Sequence, residues 1–199
     1  AQLVGSLLGR MNQDGSQDTS FTNNLSGNVL AIALQPNGKA WVSGSFSLGK
    51  PAILTNLAVL NPNGSVDTNF LFSIVGEVYC LALQPDGKVI VGGSFTSFNG
   101  QTVSRIMRLN ADGTLDVNFT ASANGTVDCV SIQPDAKILA GGTFTALDGQ
   151  PINRLGRFNS DGTLDASFNP NVNNTINSLS LQADGRVIFG GLFSTVGGQ

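Results

Sequence analysis

Acidic residues recur in this chain at fixed intervals, and they are the first candidates for chemistry. Asp18, Asp67, Asp116 and Asp165 follow one another every 49 residues. Around the third of them, Asn110, Asp112 and Asp116 have an Asn-x-Asp-Gly-x-x-Asp spacing that offers oxygen ligands to calcium. The set is poorer than an EF-hand loop, because it has no bidentate Glu and Asn63 replaces the first Asp one copy earlier. The competing reading, which the residues favour, is that these carboxylates accept hydrogen bonds from turn amides. No cofactor or metal is therefore expected. The chain contains no His, which removes Ser-His-Asp, Cys-His and His–metal chemistry. A carboxylate pair can act as acid and base, but catalytic groups rarely repeat fourfold, so the expectation is a protein that is not an enzyme.

A second set of candidates lies where the copies differ. One column holds Leu30, Tyr79, Asp128 and Asn177, mixing an aromatic with polar groups as small-ligand sites do. Glu77 stands beside Tyr79, and Phe72 and Phe98 occupy nearby loops outside the repeated Phe columns, where the core does not obviously require them. Tyr79, Asp128, Asn177, Glu77, Phe72 and Phe98 are thus expected to form a ligand-binding patch. The bland alternative makes them ordinary loop tips. Gly92-Gly93 is not a phosphate loop, since no helix or Lys-Ser/Thr pair follows. Close backbone packing or a bulge explains it better.

These positions need a scaffold that repeats. The stretch 78–95 reads VYCLALQPDGKVIVGGSF, two β-prone runs joined at Asp86-Gly87, with copies at 30–46, 127–144 and 176–193. Asp-Gly between such runs points to a type I′ hairpin turn, with positive φ at both central residues. Gln35, Gln84, Gln133 and Gln182 keep the same period. So do Phe46, Phe95, Phe144 and Phe193, and the series Phe21, Phe70, Phe119 and Phe168. The third repeat shows four strands, at 103–110, 114–119, 127–133 and 137–144; in the second of these Leu115, Val117 and Phe119 alternate with polar neighbours. Nothing sustains a 3.6-residue period, so almost no helix is expected. Four strands in about 40–50 residues describe a β-propeller blade, whereas solenoid coils are shorter and lack paired Asp-Gly hairpins.

The expected fold is therefore all-β, a β-propeller of four-stranded antiparallel blades. It forms a single domain, 1–199, with four 49-residue repeats at about 5–53, 54–102, 103–151 and 152–199. Trp41 shares a column with Ile90, Leu139 and Ile188 and is assigned to the core. The chain opens on the third and fourth strands of a blade, 6–21, and closes on the first and second strands of another, 176–193. Apart, each half exposes a pairing edge; joined, the N-terminal and C-terminal half-blades close a ring of four. Two chains exchanging halves into an eight-bladed ring, or a fragment of a longer array, are the alternatives.

Composition narrows the partners. Charged residues are only 12% and the net charge is −3, which leaves no electrostatic footprint for nucleic acid. The longest apolar run, 29–34, is too short for membrane insertion. The apolar start, 3–8, has no basic flank and aligns with later repeats, so it is read as part of the fold and not as a signal peptide. Cys80 and Cys129 share one phase of the repeat, so they are read as small core residues and not as a disulfide. Few charges with abundant Asn, Gly, Ser and Thr suggest an extracellular or cell-surface protein.

Copies of R-L-x-R-x-N-x-D-G-T-L-D-x-x-F followed by L-Q-P-D-G-K and a Gly-Gly-x-Phe strand resemble the delta-sixty repeat β-propeller family, over essentially the whole chain. That family is similar to kelch propellers in its Gly-Gly strand. Residues 7–10 and 56–59 depart from the pattern by lacking its first Arg, which stands at Arg105 and Arg154 in the later copies. The resemblance implies part of a large secreted or surface bacterial protein, in a family without a known biochemical role. The function expected is a non-enzymatic structural scaffold or adhesive protein-interaction module. Its partners are expected to be a protein or glycan at the cell surface, with a homo-oligomer or assembly with a longer array. A carbohydrate-binding, lectin-like propeller is the alternative, and a glycan-acting enzyme comes third.

Overall fold

Each pair of apolar runs separated by a Pro-Asp-Gly-type turn folds back on itself, and the chain is a succession of such hairpins. The computed structural model describes residues 8–48 and 53–199, all of it antiparallel β-structure and connecting turns. The first sheet is β1 (Leu25–Leu34), β2 (Ala40–Leu48) and β3 (Ile53–Leu60), in that order. After the short β4 (Ile74–Val75), a second unit opens with β5 (Val78–Leu83) and β6 (Val89–Gly93). It passes through β7 (Ser97–Phe98) and β8 (Gln101–Thr102) to β9 (Ile106–Leu109). Here β5-β6-β9 form one sheet and β4-β7-β8 a small separate one. The third unit is β10 (Val127–Ile132), β11 (Ile138–Gly142) and β12 (Leu155–Phe158). A two-stranded hairpin, β13 (Ile176–Leu181) and β14 (Val187–Gly191), comes last. No helix is long and apolar enough to cross a membrane.

The turns differ from the type I′ expectation. Gln84 accepts from the Gly87 amide and its own amide bonds to the Lys88 carbonyl, with positive φ at Gly87 and not at Asp86. This is the bonding of a three-residue loop, a type I turn closed by a left-handed residue. Pro85 suits the first corner position, where φ is negative, but Ala183 takes that place in the last hairpin with the same bonding, so the three-residue loop length sets the turn. In the third unit Ala136 holds the left-handed position, at φ 65°.

The four-stranded expectation is also corrected. The stretch 114–119 is not a strand: only Leu115 bridges Leu109, and the Phe119 amide then turns back to the Asp116 carbonyl. Val117, expected on the buried face, is 70% exposed at the corner, while Phe119 folds under it into the core. Leu60–Val66 and Phe158–Leu164 make the same single bridge. Each unit therefore has three strands and a bridged outer turn.

The inner strands stand side by side in chain order, β1 by β5, β5 by β10 and β10 by β13. Side chains from adjoining units merge into shared cores. Ala33, Trp41 and Leu57 of the first unit pack with Val78, Val89 and Val91 of the second. Ile90 and Ile106 of the second pack with Val127, Ile138 and Ala140 of the third. Phe46, Phe95 and Phe144 are all buried, and so is Trp41, as their columns require.

Ring closure does not occur within the chain among the described residues. No strand pairing, backbone bond or core cluster joins 8–21 to β13 or β14. The leading segment instead makes its own bridge, Met11 to Gln17, and packs Leu8 and Phe21 against the first unit. Residues 6 and 7 of the expected closing segment, and residues 49–52 between β2 and β3, lie outside the described residues.

Candidate functional site

The repeated acids are held by the fold itself. Asp116 accepts from Lys88 Nζ and Arg108 Nε, both at 2.8 Å, and from the Asn118 amide at 3.2 Å. The Arg108 guanidinium lies 4.6 Å from the Phe119 ring centroid and donates to the Ser160 carbonyl of the next unit. One clasp thereby ties three segments of its own unit and reaches the neighbour. Asp165 repeats it with Lys137, Arg157 and Phe168. Asp67 takes Lys39 alone, because Val59 stands in the arginine column. Among the described residues the one cation on Asp18 is Arg10, and Ser20 donates to its other oxygen.

These contacts hold the carboxyls below their ordinary range. Hydrogen bonds from the Ser20 hydroxyl, the Ser20 amide and Arg10 bring Asp18 down to about 2. At Asp116 burial opposes the shift, and Lys88 with Arg108 overcomes it. The calcium constellation does not converge. Asn110 donates to Thr114, Asp112 accepts from the Thr114 amide and hydroxyl, and Asp116 faces its cations. Among the described residues no three His, Cys, Asp or Glu side chains form a metal-binding group.

The variable column has a structural cause. In every inner strand the register slips by one residue, between Val29 and Ala31, Val78 and Cys80, Val127 and Cys129, and Ile176 and Ser178. Leu30, Tyr79, Asp128 and Asn177 are thus the extra residues of four β-bulges, a feature that re-aims a side chain out of the ladder. The paired glycines make the bulge possible. A Cβ on Gly93 would lie 2.1 Å from the Glu77 carbonyl oxygen, and one on Gly92 would lie 2.6 Å from Cys80 Sγ. Both readings of Gly92-Gly93, close packing and a bulge, hold together.

At the second bulge the Tyr79 hydroxyl donates to Glu77 Oε2 at 2.5 Å, and the Glu77 amide donates to Ser94 Oγ. The bond to Glu77, chiefly, raises the Tyr79 phenol above its ordinary value, and the Asp128 charge adds to it. Burial alone pushes the Asp128 carboxyl up. Glu77, Tyr79 and Ser94 thus make one polar cluster at this bulge, and Asp128 stands at the matching bulge of the adjoining strand β10. Asn177 is exposed at the matching place on β13. Ser94 was not singled out from the sequence; the signal for it was its place beside the Gly pair.

Phe72 and Phe98, taken as free of the core, belong to it. Phe98 is 1% exposed, and Phe72 stacks on Trp41 with ring centroids 5.6 Å apart. Phe70 and Phe98 complete the aromatic cluster around Phe72. Trp41 is larger than the Ile or Leu of its column and takes these rings as partners. Cys80 and Cys129 are both free thiols, pushed up by burial, Cys129 to about 12.

A family model described as a domain of unknown function (DUF5122), a beta-propeller, matches residues 35–70, 84–119 and 133–168. No curated protein matches. Among solved structures, the fold is similar to the extracellular domain of BT4673 from B. thetaiotaomicron, at 14% identity and a TM-score of 0.54. That match covers 89% of this chain and 22% of the other, so the chain spans about a fifth of that protein's length.

Proposed function

The chain belongs to this β-propeller family of unknown function, and from that premise we propose that it is a non-enzymatic scaffold that binds partners at the rim of its inner strands. Its units act as blades, and further copies of the same repeat complete the ring. One observation carries the reading. Asp67, Asp116 and Asp165 are each neutralised inside their own blade, while the bulge positions, Leu30, Tyr79, Asp128 and Asn177, differ from blade to blade on a common frame. Packing needs the same residues in each blade, so departures are where a blade can specialise. The partner proposed is a cell-surface protein, and the site of action is extracellular, as the structural neighbour's description says of that protein. A lectin-like role is the second reading, favoured by one feature: a phenol and two carboxylates gathered at one rim.

Two screens of the purified protein test this, one on immobilised surface proteins and one on simple sugars, each repeated with the double variant Tyr79→Ala, Asp128→Ala. Protein binding that falls about tenfold or more in a folded double variant is the expected result. Saturable sugar binding lost in that variant selects the lectin. Turnover of a glycan overturns the non-enzymatic reading.

A further inference from the structure

At its outer edge the second blade leaves a gap between the sheet and the turn that bridges it. The Ser104 carbonyl accepts from the Ala123 amide at 3.0 Å, and the Arg108 carbonyl accepts from the Asp116 amide at 2.9 Å. Four residues separate the two carbonyls, 104 to 108, but the chain opposite takes seven, 116 to 123, and so arches outward. Under the arch lies a cavity of about 280 Å³. Apart from Asp116 its buried lining is apolar, with Ile106, Met107 and Phe119. Gln101, Thr102 and Thr120 line it from exposed positions and Ser104 from a half-buried one, and none of these four side chains bonds to another described residue. The Arg105 carbonyl accepts from Gly93 on the inner side, so by strand alternation the Ile106 amide and carbonyl face outward, into the cavity.

The neighbouring blades fill the same columns. In the third, Asn169 Nδ2 donates to the Pro151 carbonyl at 3.4 Å, and Asn153 Nδ2 donates to Asn171 Oδ1 at 2.9 Å. Thr120, Thr102, Ser104 and Ser122 hold those columns in the second blade, and their shorter side chains do not bond across. Ala121, which lines the cavity, stands where the first blade has Phe72 and the third Pro170.

These features limit the occupant. Asp116 is the one ionisable group in the lining, and Lys88 and Arg108 already neutralise it. An ionic ligand would lose its hydration there without gaining a counter-charge. The bonds at Ser104 and Arg108 close both ends of the slot, so an extended peptide cannot run along the strand edge. What fits is compact and uncharged, with hydrogen-bonding groups around its margin and an apolar face. The volume, at the small end of ligand pockets, suits one ring.

We propose that this slot binds a single neutral sugar ring. Its C–H face lies on Met107 and Phe119, and its hydroxyls bond to Thr102, Ser104, Thr120 and the Ile106 backbone. No lining residue belongs to the bulge rim, so the site is a second one and does not rest on the reading given above.

The test follows the amide signals of the whole chain by NMR while methyl glycosides of glucose, galactose, mannose and N-acetylglucosamine are added in turn. One of them is expected to saturate in the millimolar range and to move the signals of residues 104–107 and 117–122. Thr120→Trp, at an exposed position, and Ser104→Ala are each expected to weaken that binding about tenfold or more, and Ser104→Thr to keep it. Should Thr120→Trp unfold, Ser104→Ala, which deletes one hydroxyl, carries the test. A glycan ending in the same sugar that moves the same signals identifies a chain end as the source, and one that does not identifies the free sugar; the slot stands in both cases. Binding lost in Tyr79→Ala, Asp128→Ala but kept in Thr120→Trp overturns the slot and places the sugar at the rim. Saturation by none of the four overturns the slot and leaves the rim reading standing. Glucuronate binding as well as the neutral sugars overturns the uncharged class.

Discussion

The third blade and the trailing hairpin carry the same sequence pattern and live in different surroundings. Ile138–Gly142 is buried at every residue, whereas Val187–Gly191 is exposed or half-buried throughout. Leu139 is fully buried and Ile188, in its column, is not. The hairpin forms in both places because its turn and its ladder are local. Burial is a property of the neighbour, and among the described residues the hairpin packs beside β10 and β11. A repeat protein of this kind gains its stability interface by interface, so equivalent residues contribute unequally along the row.

The largest test of that comparison is aromatic truncation. Phe144→Ala is expected to cost about 3–5 kcal/mol in denaturant melts, the range for emptying a buried aromatic site. Phe193→Ala, half-buried beside Phe189, should cost clearly less. Equal losses would show that the trailing hairpin is as well packed as the interior.

A subtler test uses the glycines. A Cβ at Gly141 would approach Cys129 Sγ and Ile176 Cγ2, both at 2.7 Å, while Gly190 in the same column has nothing within 4 Å. Gly141→Ala should destabilise by about 1–3 kcal/mol, as overpacking does. Gly190→Ala should leave the melting of the monomer nearly unchanged. A large loss at Gly190 would mean that its open face is covered.

The smallest effect concerns the turns. Ala136 carries the left-handed conformation that Gly38, Gly87 and Gly185 adopt in the other hairpins. Ala136→Gly is expected to stabilise by about 1 kcal/mol, and Gly185→Ala to destabilise by a similar amount, since both changes act on the backbone alone. A melting temperature that falls in Ala136→Gly would place the effect in lost contacts and not in φ.

The frame of the candidate site was legible before any coordinates. The 49-residue period marked the inner strands, and the odd column Leu30, Tyr79, Asp128 and Asn177 stood out because nothing else on those strands varied so widely. That column proved to be a row of bulge residues, which no alternation rule anticipates, because a bulge breaks the alternation. Phe72 and Phe98 were misread for the opposite reason. Loop position suggested freedom, but Trp41 from the preceding blade supplied a partner that only packing reveals.

By itself the amino-acid sequence determined what is local: the inner hairpins, the apolar columns and, among the described residues, β-structure in place of helix. These follow from side-chain period and turn chemistry within a few residues. Tertiary structure alone decided the three-strand blade with its bridged outer turn, and the clasp that absorbs Asp116 and Asp165. The clasp joins residues 28 apart in the chain and reaches across to the next blade. A repeat looks the same in sequence wherever it stands, and its surroundings depend on which copy lies beside it in space.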